Sequence, residues 1–504
     1  MLMSLPCTST KKGFIIIMNQ HQQHCYTLKI IRMICLFLIL IGFLEKSSYA
    51  TILTPYQLET SVERCYPQIL NAEIDIEINA NETKKNKAPF DTNLNANTNQ
   101  RQGSSYNTQY EKVSVEKRLY GSPISVYSGY DISSGYAPQY EGAQITSTQG
   151  REFIGLKLNL LNGFEIDQER VNLYNAMLET ERAKYQLNLV KLLVKTDAIK
   201  AYINWVLAGL EVKAYEHLVN VAQRRQVALE RRLKEGDVAR ITVRENYNNL
   251  LKRRIRLMSA KDNFNQASQN LSLYYRGSQC QVVLPGEKNT PQHLPHYQTI
   301  PPLTNEELNA AVQQRPEFKI IGAQMSQLIN QEKLAATNLK PKLSASLQYN
   351  QNNSDDSTTP NFTINQNEYL AKIDFSFPLE QSYGKGFSNA TIGKIQKLKN
   401  EQQFLLDQLR SRIHVLSFRI KNTRTQGELS ANDLSLSKEL YQAEDKRFEN
   451  GDSSFFMLNL REENVANAYL NMISATMQNY QAFIEFNFLN GQNIDLTQTY
   501  QLYN

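Results

Sequence analysis

The chain has 504 residues, of which 41% are apolar, 21% charged and 10% aromatic, and its mean hydropathy is −0.48. That is too polar for a helical membrane transporter, which needs several apolar runs of about 20 residues, and too aromatic for a disordered chain. The formal charge is +6, but once residues 1–50 are set aside 50 basic residues face 48 acidic ones, so the electrostatic footprint of a nucleic-acid binder is missing.

Lys29 and Arg32 precede Met33–Leu44, an apolar run of twelve residues, and Ser48-Tyr49-Ala50 follows with small residues at its first and third positions. This order predicts a secretory signal cleaved after Ala50. The run is too short to span a bilayer comfortably, a signal anchor is the alternative reading, and Met18 is an alternative start to Met1. Cys7, Cys25 and Cys35 leave with the signal, whereas Cys65 and Cys280 remain. In an oxidising compartment the two either form a disulfide or stay as buried thiols.

The rest of the chain repeats itself. Arg232-Leu-Lys-Glu-Gly-Asp237 returns as Arg447-Phe-Glu-Asn-Gly-Asp452, an offset of 215 residues. The heptad row Val243, Leu250, Leu257, Phe264, Leu271 maps by the same offset onto Leu458, Val465, Met472, Asn479, Phe486. Ala260 and Ala267 likewise map onto Ala475 and Ala482. Two registers at one offset indicate a duplication, and the spacing of seven predicts coiled-coil contact. Residues 164–284 and 379–504 contain no Pro, so a helix over 165–235 would run roughly 105 Å. Gly236 and Gly451 are expected to end such helices in the left-handed conformation, with Asp237 and Asp452 capping the returning helices.

Strands are predicted between the helices. Tyr369, Ala371, Ile373, Phe375, Phe377 and Leu379 alternate with Lys372, Asp374, Ser376 and Pro378. Leu343, Ala345, Leu347 and Tyr349 alternate with Ser344, Ser346 and Gln348, and Ile154, Leu156, Leu158 and Leu160 with Gly155, Lys157 and Asn159. A fourth, more polar strand belongs near residues 90–100. Segments of about ten residues with one apolar and one polar face suit an amphipathic soluble hairpin or, beside an export signal and very long helices, a membrane barrel. The first half carries about 33 more residues than the second, over roughly 103–150 and rich in Tyr, Ser and Gly. There Val113–Leu119 and Ile124–Ile132 can form a further hairpin around Gly121-Ser122-Pro123. Four strands per chain are too few to close a barrel, and an open sheet in lipid leaves backbone groups unsatisfied; several chains would have to share one barrel, with cyclic symmetry as the economical solution.

The reading of the chain is therefore a signal over 1–50; a first repeat over 51–284, with strands at about 90–160 and a helical hairpin over 165–276; a Pro-rich joint over 285–304; a second repeat over 305–490, with strands at about 343–379 and a hairpin over 387–490; and a tail over 491–504. This order resembles the TolC-like outer-membrane efflux proteins. The residues that carry the resemblance are Tyr66-Pro-Gln-Ile-Leu70 and its echo Arg315-Pro-Glu-Phe318, the helix-to-strand passages Lys87-Ala-Pro-Phe90 and Leu339-Lys-Pro-Lys-Leu343, and the stretch 451–462 at the second hairpin tip.

The resemblance implies a mainly α fold with membrane β. Long antiparallel coiled-coil helices would form a periplasmic tunnel, and four strands per chain would contribute to a trimeric twelve-stranded barrel in the outer membrane of a Gram-negative bacterium. It implies a homotrimer that is a passive exit duct for a tripartite efflux pump or type I secretion system. Its partners would be a periplasmic adaptor, an inner-membrane pump or ABC exporter, and outer-membrane lipid. Carried over by position, the adaptor contacts are Gly236, Asp237, Val238 and Ala239 at the first tip, and Gly451, Asp452, Ser453, Ser454 and Phe455 at the second. The acidic constriction that the best-known member of the family bears a turn or so past the second glycine is replaced here by Met457 and Leu460, flanked by Phe448, Phe455 and Phe456. Either these residues narrow the entrance by apolar packing, which can gate by dewetting, or they simply pack between helices.

No enzyme signature is present. His293 and His296 form a lone H-x-x-H in the Pro-rich joint, a weak metal signal off a helix, and no Walker loop, G-x-S-x-G or H-E-x-x-H occurs. No cofactor is expected. The arginines Arg224, Arg225, Arg231, Arg232, Arg240, Arg244, Arg253, Arg254 and Arg256 are interrupted by acidic residues, as in a solvated or partner-facing helix surface. The alternative function is a soluble periplasmic coiled-coil adaptor or scaffold without a barrel, which would share export and long helices but has no need of duplicated amphipathic strands.

Overall fold

A computed structural model describes residues 52–104, 106–136, 145–291, 296–300, 305–357, 364 and 366–489. The expected signal and C-terminal tail, His293 and Tyr140 lie outside the described residues. Leu53 and Glu287–Asn289 belong to a small unit of their own, in which Leu53 N donates to Asn289 O at 2.9 Å. Everything below concerns the large unit, Thr54–Gly286 with Thr290–Asn504.

Two helices open it, α1 (Pro55–Cys65) and α2 (Pro67–Lys85). Each starts with Pro, whose missing N–H costs nothing at that position. Thr54 and Gln57 form a capping box on α1, with Gln57 N donating to Thr54 Oγ1 at 3.1 Å and Thr54 N to Gln57 Oε1 at 3.2 Å. Four strands follow, β1 (Thr92–Gly103), β2 (Tyr106–Arg118), β3 (Ile124–Tyr136) and β4 (Arg151–Asn159). Helix α3 (Gln168–Glu235) turns back as α4 (Arg240–Ser272). The second half runs through α5 (Asn305–Gln313), α6 (Pro316–Thr337), β5 (Lys342–Asn352), β6 (Asn367–Ser376), α7 (Ser382–Glu449) and α8 (Phe455–Leu489). Helices α3 and α7 have 68 residues each, about 102 Å at 1.5 Å per residue.

The strands form one antiparallel sheet in the order β1-β2-β3-β4-β5-β6. Its two faces differ in chemistry because side chains alternate along each strand. One face carries Leu94, Val113, Val115, Val126, Ile154, Leu156, Leu347, Ile373 and Phe375, all exposed. The other is polar and has its own core, where Arg151 Nη2 donates to Asp131 Oδ2 at 2.7 Å and Arg151 Nε to Asp131 Oδ1 at 3.0 Å. The Tyr110 hydroxyl donates to the same carboxylate at 2.8 Å, and burial together with that bond pushes the phenol well above its ordinary range. Arg118 at the end of β2 reaches Asp167 and, at 3.2 Å, Glu169. Asp167 also caps α3 by accepting from Arg170 N at 2.9 Å, so the sheet is pinned to the first turn of the long helix.

The sheet corrects the expected fold class. The extra residues over 103–150 supply β2 and β3, which add to the sheet between β1 and β4, so the chain contributes six strands rather than four. Within the chain β1 and β6 are the two edges and the sheet is open. The twelve-stranded trimeric barrel counted from four strands is therefore wrong. The outer-membrane exit duct and outer-membrane location inferred from that barrel lose their support. Among the described residues no helix is long and apolar enough to cross a membrane.

The long helices pack in the order α4-α3-α8-α7. Helix α4 buries Val243, Leu250, Phe264 and Leu271 in one row and Asn246, Arg253 and Ala260 in the next, which is the a/d seam of a coiled coil. Midway along α3, Tyr202, Ile203, Trp205 and Val206 are buried, with the Trp205 ring 5.8 Å from Tyr202 and 6.3 Å from Phe264. A second core gathers Val312 of α5, Leu409, Ile413, Leu416 and Ile420 of α7, and Ala482 and Phe486 of α8.

Asn479, the one polar member of the α8 heptad row, is fully buried. Its Oδ1 accepts from Gln298 N at 2.7 Å and its Nδ2 donates to Ile420 O at 2.9 Å, so it holds the joint against α7 and α8. Beside it the Tyr297 ring lies over Gly427, where a Cβ would stand 2.2 Å from Tyr297 Cε1. Asn479→Leu is expected to cost about 1–3 kcal/mol, because the Gln298 amide loses its acceptor. It should also speed proteolytic cleavage within the joint; an unchanged cleavage rate would show that the joint is held by other contacts.

Candidate functional site at the hairpin tips

Both hairpin tips are built by a left-handed glycine. Gly236 at φ +83° ends α3, with Asp237 N donating to Arg232 O at 2.9 Å; Gly451 at φ +82° follows α7, with Asp452 N donating to Arg447 O at 2.8 Å. A side chain at either position would be strained. The aspartates do not cap the returning helices as expected. The residue preceding α4 is Ala239, which makes no side-chain bond, and at α8 the Ser454 hydroxyl accepts from Met457 N at 3.3 Å. Ser453 Oγ instead donates to Glu444, which ties the second tip back to α7.

The two tips share a small core. Leu229 and Val243 of the first hairpin and Phe455 of the second are buried together, with Leu233, Val238 and Phe448 packed against them. Phe448 and Phe455 rings stand 6.2 Å apart, and the Arg225 guanidinium lies 5.8 Å from the Phe455 ring. The four residues expected to form a constriction fall at the end of α7 and in the first turns of α8. Phe448 belongs to this core, Phe456 and Leu460 are exposed, and Met457 is half-buried. Gly236, Asp237, Ala239, Gly451, Asp452 and Ser454 are exposed, and Val238 and Ser453 half-buried.

Next to this core lies a buried ion triad. Glu462 of α8 receives Arg253 Nη2 at 2.7 Å and Arg225 Nη1 at 3.1 Å, together with Arg225 Nη2. Arg253 Nη1 also donates to Leu218 O at 3.1 Å, and Arg225 Nη1 to Asn459 Oδ1 at 3.3 Å. Burial pushes the Glu462 carboxyl up, but the Arg225 bond and charge, with Arg253, outweigh it and hold the carboxyl below its ordinary range. The triad joins the α3–α4 hairpin to α8. Sequence reasoning placed Arg225 and Arg253 on a solvated or partner-facing helix surface, whereas both side chains are largely withdrawn from water within the chain. The available signal was position, since Arg253 falls in the a/d frame seven residues before Ala260.

Nothing at the tips gathers the groups of a catalyst, and among the described residues no three His, Cys, Asp or Glu side chains form a metal site. No family model matches the sequence, and no curated protein matches it. Solved structures do match. The outer membrane protein VceC from Vibrio cholerae is 11% identical, with a TM-score of 0.60 over 87% of this chain and 96% of that one. The open-state MtrE outer membrane channel of Neisseria gonorrhoeae is 12% identical, with a TM-score of 0.62 over 87% and 89%. The CmeC outer membrane channel of Campylobacter jejuni is 14% identical, with a TM-score of 0.59 over 89% and 88%. The chain is built on the TolC-like outer-membrane channel fold, as the sequence resemblance implied. That fold belongs to channel proteins rather than to enzymes, and at these identities the likeness is one of fold alone.

Proposed function

We propose that the chain is a coiled-coil scaffold or adaptor of an export assembly, which joins copies of itself side by side and presents its two hairpin tips to a protein partner. The observation that carries the reading is the tip region, where two hairpins end in matched glycine turns and are held together by a shared core and a buried ion triad. A rigid end of this kind suits docking, because little ordering entropy is lost on binding. The residues proposed to meet the partner are Gly236, Asp237, Val238 and Ala239 with Gly451, Asp452, Ser453 and Ser454, held in place by the buried Phe455. The partner is an adaptor protein and, through it, an inner-membrane pump or ABC exporter. The disulfide between Cys65 and Cys280 supports an oxidising, extracytoplasmic setting.

Self-association is supported by the two outer helices. Helix α4 exposes Ile241, Tyr247, Leu251, Ile255 and Met258, and α7 exposes Phe404, Val415, Phe418, Leu429, Leu436 and Leu440. These stripes lie on the helices at opposite ends of the packing order. One copy's α4 against the next copy's α7 is a head-to-tail contact that cyclic symmetry can close, and a homotrimer is the proposed ring. Light scattering of the mature protein should give the mass of three chains. Ile255→Glu and Phe418→Glu, both at exposed positions, should each reduce it to one chain with helical content unchanged. A wild-type monomer, or a trimer indifferent to both changes, would overturn the reading.

A further inference from the structure

A cleft of about 370 Å³ lies between α3, α7 and α8, with Glu462 of the ion triad in its wall. Helix α8 supplies Glu462, Val465, Ala466 and Tyr469, spaced so that they share one face. Helix α3 supplies Lys213, Ala214, His217, Leu218 and Val221, and α7 supplies Leu434, Lys438 and Tyr441. The size falls within the range of small-molecule sites, which are mostly apolar with a few convergent polar groups.

Three observations fix the chemistry of an occupant. The only carboxylate lining the cleft, Glu462, is neutralised by Arg225 and Arg253. Lys213 and Lys438, from opposite walls, make no ion pair among the described residues, so two ammonium groups flank an apolar trough without a counter-charge. Tyr469 makes no hydrogen bond among the described residues. Burial pushes its hydroxyl above the ordinary phenol range, so it remains a protonated donor, whereas the Tyr441 hydroxyl is raised by burial and by the Glu462 carboxylate that it serves. An ion triad of net positive charge at one end, free cations at the rim and the Tyr469 hydroxyl within suit a negative headgroup on an apolar body.

We infer that this cleft binds an amphipathic monoanion, a single carboxylate on a hydrocarbon chain, with Lys213 and Lys438 facing the carboxylate and Ala214, Val221, Leu434, Val465 and Ala466 covering the chain. The inference does not rest on the scaffold reading, since every lining residue comes from one chain.

The test is calorimetric titration of the mature full-length protein with decanoate below its micelle concentration, beside decanol and decyltrimethylammonium as neutral and cationic controls. Decanoate should bind once per chain. Lys213→Met with Lys438→Met should weaken it by about tenfold and leave decanol unaffected. Ala466→Trp should fill the trough and remove binding of both. The lysines are exposed, so thermal unfolding of the Lys double variant should match wild type. Decanoate binding no tighter than decanol, or undiminished in the lysine variants, would overturn the inference.

Discussion

Glu462→Ala is expected to lower the stability of the helical hairpins by about 3–5 kcal/mol, because it leaves two buried guanidinium groups without their shared carboxylate. Glu462 is only 5% exposed and Arg253 4%, so neither arginine can recover its lost partner from bulk water without opening the interface between α3, α4 and α8. Replacing all three residues by apolar ones of similar volume should restore most of the loss, because the desolvation of three charges disappears with the pairing. The carboxyl is held below its ordinary value, which sets the sign of the pH dependence. Its contribution is fully present above the unfolded-state value of about 4.3 and is lost as pH falls through the lower folded-state value. Urea unfolding followed by circular dichroism at neutral and acidic pH measures both effects. A Glu462→Ala variant as stable as wild type at pH 7 would show that the triad contributes nothing net.

Removing the disulfide should have an effect of similar size. Cys65 and Cys280 are 215 residues apart in sequence, and the chain-entropy relation gives about 5 kcal/mol for closing such a loop in the unfolded chain. Neighbouring contacts already bring the two segments together: Ser61 Oγ donates to Arg276 O at 3.0 Å, and the Tyr66 and Tyr274 rings stack at 5.4 Å. The Cys65→Ser, Cys280→Ser double variant should therefore keep its native contacts while unfolding at lower temperature. Wild-type protein in reductant should match it. A melting temperature indifferent to reductant would mean that the unfolded chain is already constrained near this point.

The legible parts of the fold were those written in local periodicity. The alternation in residues 343–349 and 369–376 lies on the two faces of β5 and β6, and the hairpin around Gly121-Ser122-Pro123 connects β2 and β3. The strand count was not legible, because nothing local in β2 and β3 says whether they join the sheet or stand outside it. The buried polar residues were also misread. Arg225 and Arg253 look like residues of a solvated or partner-facing helix surface until three helices bring them to Glu462. Asn479 looks like a lapse in a heptad until the joint, 181 residues away in sequence, accepts its clamp. In each case the partner is distant in the chain, and residue type alone favours the surface. The tip glycines were legible because a positive φ is a local demand; the aspartates after them were misassigned because the turns run on to Ala239 and Ser454 before the next helix begins.

The sheet has a consequence for the order of folding. β3 and β4 lie in the first half and β5 in the second, and the Tyr127 hydroxyl reaches Gln348 across 221 residues. Such pairing cannot begin until most of the chain has emerged, and its loop-closure entropy must be met before any contact rewards it. During synthesis the free edge of β4, with the apolar face beside it, is a template for wrong pairing. Helices α3 and α4 can form locally in that interval, so the sheet is expected to be the last element to assemble and the one that depends most on a holding chaperone.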